Sequence, residues 1–298
     1  MLLSLRHLVE DGSEQALDKE EVRNCLLPGF LAFADRQRIS GSLFPIIRHL
    51  PSLGRDQESV RDEFHSRYLS QWALNERLLT LYRELWRHFQ DNGLGEHVVF
   101  PGGTFFGRRF YGNNSQGFVP AIDICLLTPE MKDQLIKLLS GRGYSPLPGI
   151  FPQIPGCGFG HAVGFRRNRF FVNIHFNTCS SFSPLESAQL NARLECHVFD
   201  GICYPVLSPE YELIWKILTV FRDIESGGIH LDVLLDIHAL IQTVEPTFDW
   251  PAFFRKRVDD GMLVLTMNVL DMVLTLFECQ RRCAKLEHSM SCHQESCR

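Results

Sequence analysis

The stretch that decides the fold is Val98-Val99-Phe100-Pro101-Gly102-Gly103-Thr104, followed after a polar loop by Pro120-Ala121-Ile122-Asp123-Ile124-Cys125-Leu126-Leu127. The first part is predicted to be a short apolar strand, followed by a turn at the two glycines and then by a helix. The second part reads as a longer buried strand with one acidic side chain, Asp123. Because side chains alternate between the faces of a strand, Ala121 and Asp123 lie on the same face.

A hairpin is predicted further along the chain, with strands at His161 to Arg166 and Arg169 to Phe176 joined at Arg167-Asn168. The second strand alternates between two kinds of side chain. One face is apolar and carries Phe170, Val172, Ile174 and Phe176, whereas the other carries the polar side chains of Asn173, His175 and Asn177. The polar row is therefore expected to lie outside the core.

Helical patterns flank this middle region on both sides. Apolar positions recur at helical spacing from Val60 to Phe89, and they recur again after the start signal Ser208-Pro209-Glu210. We therefore predict an α+β fold with three regions: an N-terminal helical region at 1–92, a mixed-sheet core at 93–206 and a C-terminal helical bundle at 207–298. A helix from Met262 to Lys285 and a frayed tail from about His288 are expected.

Composition is typical of a soluble globular protein. The 298 residues are 45% hydrophobic, and the net charge of −5 makes nucleic acid an unexpected partner. Arg108 and Arg109 form a local basic patch near the glycine turn. The first residues do not follow the order of a signal peptide, and no stretch is long and apolar enough for a membrane span. We therefore expect a cytoplasmic location and no membrane association.

The ten cysteines are expected to be free thiols, because the chain is neither small nor equipped for export. A cluster near the C-terminus superficially resembles a set of zinc ligands, and it consists of Cys279, Cys283, Cys292, Cys297, His288 and His293. It contains no Cys-x-x-Cys pair, and Cys279 and Cys283 stand one helical turn apart in an apolar segment. A structural metal is therefore not favoured there.

The order of these motifs resembles the uncharacterised bacterial nucleotidyltransferase family, over roughly residues 20 to 260. The resemblance implies a polymerase-beta-like nucleotidyltransferase core. By position, Gly102, Gly103 and Thr104 match the turn that approaches a triphosphate, where backbone amides reach phosphate oxygens. Pro101 stands where the family usually has lysine. His175 and Asp236 also match family positions.

The metal-binding positions of that family are only partly kept. Ala121 and Asp123 match its first two aspartates, and Asn173 matches the third, so Asp123 is the only carboxylate of the three. Two-metal phosphoryl chemistry needs several anionic oxygens, and asparagine keeps an oxygen without its charge or basicity. The resemblance therefore implies a degenerate metal site, in which Asp123 remains the metal ligand.

Two functional hypotheses follow. In the first, the fold is repurposed to bind a small polar ligand or a partner, or to catalyse a non-ancestral reaction. Such a protein could act in a biosynthetic pathway, and this hypothesis requires no cofactor. In the alternative, the chain is an active nucleotidyltransferase that uses Mg²⁺ and a nucleoside triphosphate on a small hydroxyl- or amine-bearing substrate. A protein partner is left open in both, and a pure scaffold is a third interpretation.

The candidate site residues are the same under both hypotheses. Asp123, Asn173 and His175 are the catalytic candidates; the ligand-binding candidates are Gly102, Gly103, Thr104, Arg108 and His161. Asp123 can orient the His175 imidazole for acid-base chemistry. Two alternatives stay open: His175 as a structural histidine, and a metal site of Asp123, His161 and His175.

Overall fold

Most of the described residues from 25 to 91 are helical. The computed structural model describes residues 25–50, 54–111, 119, 121–147, 162–175, 194–277 and 283–296. Helix α1 spans Pro28–Arg36, α2 spans Ser40–Ile47 and α3 spans Arg55–Asp91. Helix α3 contains the long amphipathic pattern from Val60 to Phe89. It ends before Gly93, whose φ of +67° a glycine adopts without steric cost.

A five-stranded mixed sheet forms the centre of the molecule. Its strands are β1 (Val98–Val99), β2 (Ile122–Leu126), β3 (Ser145–Pro146), β4 (Ala162–Arg167) and β5 (Phe170–His175), in the order β1-β2-β5-β4-β3. Strands β2 and β5 are parallel, and the other neighbours are antiparallel. Helix α4 (Gly103–Phe110) follows the glycine turn, and α5 (Lys132–Gly141) follows β2 after a short 3-10 turn. The predicted α+β class is confirmed.

The predicted hairpin is β4 and β5, with its turn one residue later than expected, at Asn168-Arg169. Asn168 has a φ of +57°, a conformation that asparagine tolerates better than most residues. The alternation in β5 is also confirmed within the described residues. Val172 and Ile174 are buried, whereas Asn173 and His175 are partly exposed. Phe176, Asn177 and His161 lie outside the described residues.

A second, two-stranded sheet was not predicted. Strands β6 (Leu194–Phe199) and β7 (Ile202–Leu207) form a hairpin around Asp200-Gly201, where both residues have positive φ. Asp-Gly between two short strands is a strong hairpin signal, so the sequence did contain the information. The backbone N–H of Phe100 donates to the Pro205 carbonyl at 3.0 Å, which ties the hairpin to the glycine turn.

The expectation that all cysteines are free thiols was wrong. A disulfide joins Cys196 in β6 to Cys203 in β7. The hairpin brings these two residues to diagonal positions, since Cys196 pairs with Pro205 and Cys203 pairs with Val198, and their separation in sequence did not reveal this. Among the described cysteines, Cys125 is a buried free thiol.

The C-terminal region is a set of helices. These are α6 (Pro209–Glu225), α7 (Leu231–Val244), α8 (Trp250–Asp259), α9 (Leu263–Phe277) and α10 (Ala284–Ser296). The Asp249 side chain caps α8 by accepting from the Ala252 N–H at 2.9 Å. Helix α10 continues to Ser296 and buries Leu286 and Met290, so the described part of the expected frayed tail is helical, and fraying itself stays a prediction.

The sheet separates two hydrophobic cores. Ile122, Ile124 and Leu126 of β2 pack with the second half of α3 and with α5. The opposite face of β2 carries Asp123 and Cys125, and Cys125 belongs to the larger core, which contains α1, α2 and helices α6 to α10. The face that carries Asp123 therefore looks toward the C-terminal helices. The division into three regions stays a prediction.

In the described ranges, no helix is both long enough and apolar enough to span a bilayer.

Candidate functional site

The parallel pairing of β2 with β5 brings the three catalytic candidates together. Asp123 lies opposite Asn173, and Cys125 lies opposite His175. Since residues two apart on a strand share a face, Asn173 and His175 both extend on the side of Asp123. The Asn173 Nδ2 atom lies 2.9 Å from Asp123 Oδ1, and His175 Nε2 lies 3.0 Å from the same oxygen.

These contacts fix the hydrogen-bonding roles of the three side chains. An ionised carboxylate only accepts hydrogen bonds, so Asn173 donates its amide N–H and His175 donates from Nε2. Burial by itself raises the pKa of Asp123. The hydrogen bond and charge of His175, the Asn173 hydrogen bond and the charge of Arg222 outweigh burial, and the pKa of Asp123 lies below its ordinary value. Asp123 is therefore an anion at neutral pH.

Helix α6 covers one side of this cluster. The Trp215 ring meets the His175 imidazole edge to face, with 5.0 Å between the ring centres. The side chain of His175 is 13% exposed and that of Asp123 is 29% exposed. Asp123 is therefore the member of the pair that solvent reaches more readily.

The glycine turn lies beside the same helix. Gly102 and Gly103 have φ values of +62° and +63°, which explains the two adjacent glycines. The Gly102 N–H donates to the Glu212 carboxylate of α6, at 3.2 Å to Oε1 and 3.0 Å to Oε2. A Cβ atom on Gly103 would collide with the hydroxyl oxygen of Tyr82.

Buried charges surround the turn. Arg109 Nη1 lies 3.6 Å from Glu212 Oε1, and Lys216 Nζ lies 2.6 Å from Asp236 Oδ2. Tyr111 donates its hydroxyl to the other oxygen of Asp236 at 2.9 Å. Burial raises the pKa of Glu212 to about 7, against the opposing charges of Arg109 and Lys216.

The remaining sequence candidates have different surroundings. Thr104 is buried at the start of α4, and its hydroxyl has no hydrogen-bond partner in the described part of the chain. Arg108 lies over the Phe199 ring at 4.0 Å and 3.7 Å from Glu76, and no described contact joins it to the Asp123 cluster. His161 lies outside the described residues, so its prediction and that of a metal site with Asp123 and His175 stay untested.

Glu212, Lys216 and Trp215 of α6 were not among the residues predicted from the sequence, whereas Asp236 matched a family position. Glu212 and Lys216 stand one helical turn apart and face inward, among apolar residues such as Leu213 and Ile217. Charged side chains at the helical spacing of a buried apolar face are unusual, and this pattern in the sequence could have indicated their role.

One carboxylate, Asp123, lies at the three positions that the resemblance matches to metal-binding aspartates. At the three positions matched to metal-binding aspartates, Ala121 offers a buried methyl group and Asn173 directs an N–H toward Asp123. One carboxylate remains, and its Oδ1 already accepts two hydrogen bonds. Magnesium sites use several oxygen ligands with negative charge. No group of three or more His, Cys, Asp or Glu side chains that could hold a metal ion occurs within the described ranges.

Comparison with known proteins gives one family and several similar solved structures. The family described as uncharacterised nucleotidyltransferase matches residues 27–277. An antigenic nucleotidyltransferase-like protein from Paracoccidioides brasiliensis is 14% identical, with a TM-score of 0.37, over 76% of this chain and 92% of that one. A candidate nucleotidyltransferase from H. pylori is 18% identical, with a TM-score of 0.36, over 73% and 97%. No curated protein matches the chain.

Proposed function

Because the chain belongs to the uncharacterised nucleotidyltransferase family, we propose that it binds a small polar ligand through Asp123 and His175 and does not catalyse two-metal nucleotidyl transfer. The observation that carries this proposal is the use of Asp123 Oδ1 as the acceptor for both Asn173 and His175. Two side chains of the protein thus stabilise the charge of the single carboxylate at the position that the resemblance matches to a metal ligand.

The chemistry of the pair favours a ligand that bears hydroxyl or amine groups. Asp123 is ionised and 29% exposed, and a carboxylate accepts strong hydrogen bonds from such donors. The same carboxylate fixes the ring tautomer of His175, as in sites where an oriented imidazole acts as an acid or base. The Trp215 ring supplies an apolar wall beside the imidazole. Acid-base chemistry on the bound ligand is the reaction class that this arrangement supports.

A thermal-shift screen of small amines and amino sugars tests the proposal. A compound that raises the melting temperature of the wild type is expected to lose its effect in Asp123→Asn, which keeps the side-chain shape and removes the charge. Equal stabilisation of both proteins by every active compound would contradict a role for the Asp123 carboxylate.

His175→Ala is expected to weaken binding of the compound found in that screen at least tenfold, about 1.4 kcal/mol, because Asp123 loses one of its two donors. The free energy of unfolding is expected to change by only about 1 kcal/mol, since Asn173 still donates to the carboxylate. Isothermal titration and urea unfolding measure the two effects.

The matched control is His97→Ala. The His97 Nδ1 atom lies at hydrogen-bond distance, 2.9 Å, from Thr128 Oγ1, beyond the end of β2 that is farther from Asp123. The ligand affinity of this variant is expected to equal that of the wild type. If His175→Ala instead melted many degrees lower and bound the ligand normally, His175 would be a structural histidine.

Magnesium-dependent nucleotidyl transfer is the second candidate, and the ionised state of Asp123 beside a glycine turn with two positive φ angles favours it. Its test is pyrophosphate release from each nucleoside triphosphate with Mg²⁺ and an amine acceptor. The first proposal predicts no release above background. If the wild type released pyrophosphate and Asp123→Ala did not, the first proposal would be wrong and nucleotidyl transfer would be the function.

A further inference from the structure

We propose that Glu212 is an internal anion that keeps the Gly102 turn closed to external oxyanions, such as sulfate or a phosphoryl group, until its carboxyl group leaves the turn. This control goes beyond the proposed ligand binding, because it needs neither Asp123 nor His175.

The geometry at Gly102 carries the proposal. A backbone N–H that leads into a helix is a favourable place for an anion. The Gly102 N–H precedes α4, and both Glu212 oxygens take its hydrogen bond, at 3.2 and 3.0 Å. Glu212 is 1% exposed. The anion at this turn is therefore part of the protein.

Two cations flank the same point. Arg109 Nη1 lies 3.6 Å from Glu212 Oε1. Lys216 Nζ lies 3.6 Å from the place where a Cβ atom on Gly102 would stand. An oxyanion with several oxygens suits this set of one backbone donor and two cations. Once Glu212 gives up its place, these groups form an anion site.

Two hydroxyl groups beside the turn supply an independent observation. Tyr82 and Thr104 are buried, and neither hydroxyl has a hydrogen-bond partner in the part of the chain that the structure describes. The Tyr82 hydroxyl stands against Gly103, and Thr104 is the next residue along the chain. A buried hydroxyl without a partner costs free energy, and an oxyanion bound at the turn can accept its hydrogen bond.

The surroundings of Glu212 make the closure dependent on pH. The charged and titratable groups that act on it are Arg109 of α4, Lys216 of α6, Asp236 of α7, Tyr82 of α3 and Cys125 of β2. Burial, opposed by Arg109 and Lys216, raises the pKa of Glu212 to about 7. The carboxyl group is therefore mostly protonated at pH 6, where it no longer forms an ion pair with Arg109, and mostly ionised at pH 8.

Sulfate is the probe, because its own charge is constant between pH 6 and pH 8. The apparent affinity of the wild type for sulfate is expected to fall roughly tenfold from pH 6 to pH 8, following the protonated fraction of Glu212. Isothermal titration at both pH values, in a non-coordinating buffer of constant ionic strength, measures this change.

Glu212→Gln removes the charge, so its amide oxygen holds the Gly102 N–H only as weakly as the protonated carboxyl group does and can be displaced from the turn. Its sulfate affinity is expected to be the same at both pH values and at least equal to that of the wild type at pH 6. Glu245→Gln is the matched control, because Glu245 is also buried but pairs with Trp250 in the C-terminal helices. This control is expected to keep the pH dependence of the wild type.

Three results would overturn the proposal: sulfate binding by neither protein at either pH, a pH dependence that persists in Glu212→Gln, or tighter binding at pH 8 by the wild type. Asp123→Asn is expected to bind sulfate as the wild type does. A failure of the ligand proposal at Asp123 therefore leaves this result unchanged, and the two can be judged separately.

Discussion

Replacing Asp236 with alanine is expected to lower the free energy of unfolding by about 3–5 kcal/mol, because it leaves the Lys216 ammonium buried without its counter-charge. The two side chains are 11% and 13% exposed, and Lys216 Nζ lies 2.6 Å from Asp236 Oδ2. Tyr111 also loses the acceptor of its hydroxyl hydrogen bond. Urea unfolding followed by circular dichroism measures the loss.

A double-mutant cycle separates the pair from its surroundings. The double variant Lys216→Met, Asp236→Leu is expected to cost less than the sum of its two single changes, since each single change leaves a buried charge without its partner and the double variant leaves none. Asp35→Ala is the control, because Asp35 and Arg67 form a more exposed pair, 34% and 44% exposed, and the expected loss is under about 1 kcal/mol. A similarly small loss in Asp236→Ala would show that Asp232, one helical turn away, replaces Asp236 as the counter-charge.

Gly103→Ala is expected to lower the free energy of unfolding by about 2–5 kcal/mol, the sum of a backbone cost and a steric cost. The backbone cost arises because φ is +63°, a conformation that alanine adopts with strain. The steric cost arises because the new Cβ atom meets the Tyr82 hydroxyl. The Tyr82 ring cannot easily retreat, since it packs against Phe100 and Phe105 at 5.2 and 4.7 Å between ring centres.

Two further variants divide these costs. Tyr82→Phe removes the colliding oxygen, so the double variant with Gly103→Ala is expected to regain the steric part and keep the backbone part. Gly143→Ala is the matched control, because Gly143 has a φ of +80° with open space around its Cβ position, and about 1–2 kcal/mol is expected. If Gly103→Ala lowered the free energy of unfolding no more than Gly143→Ala does, the contact between the new Cβ atom and Tyr82 would not contribute to the loss.

The Asp123 cluster shows how far strand periodicity carries a prediction. Asn173 and His175 share a face because they are two residues apart, and Asp123 faces them because its strand pairs with theirs in register. The alternation is local and visible in the sequence. The hydrogen bonds that both side chains give to one carboxylate oxygen depend on the sheet order, which no local pattern contains.

The hairpin of β6 and β7 shows a different limit. The Asp200-Gly201 pair is typical of a hairpin turn, but the flanking strands are short and partly exposed, so their apolar periodicity is weak. The disulfide between Cys196 and Cys203 followed from that pairing, and a rule based on chain length and export excluded it.

The sequence by itself determined the α+β class, the long helix α3, the glycine turn and the polar face of β5, because each depends on a backbone period or on the conformational freedom of glycine. Only the tertiary structure decided that α6 packs against that turn, where Glu212 meets Gly102, Lys216 meets Asp236 and Trp215 meets His175. Those contacts join residues far apart in the chain. They form because burying a charge or a backbone N–H requires a partner, and the packing of the whole chain selects which partner it is.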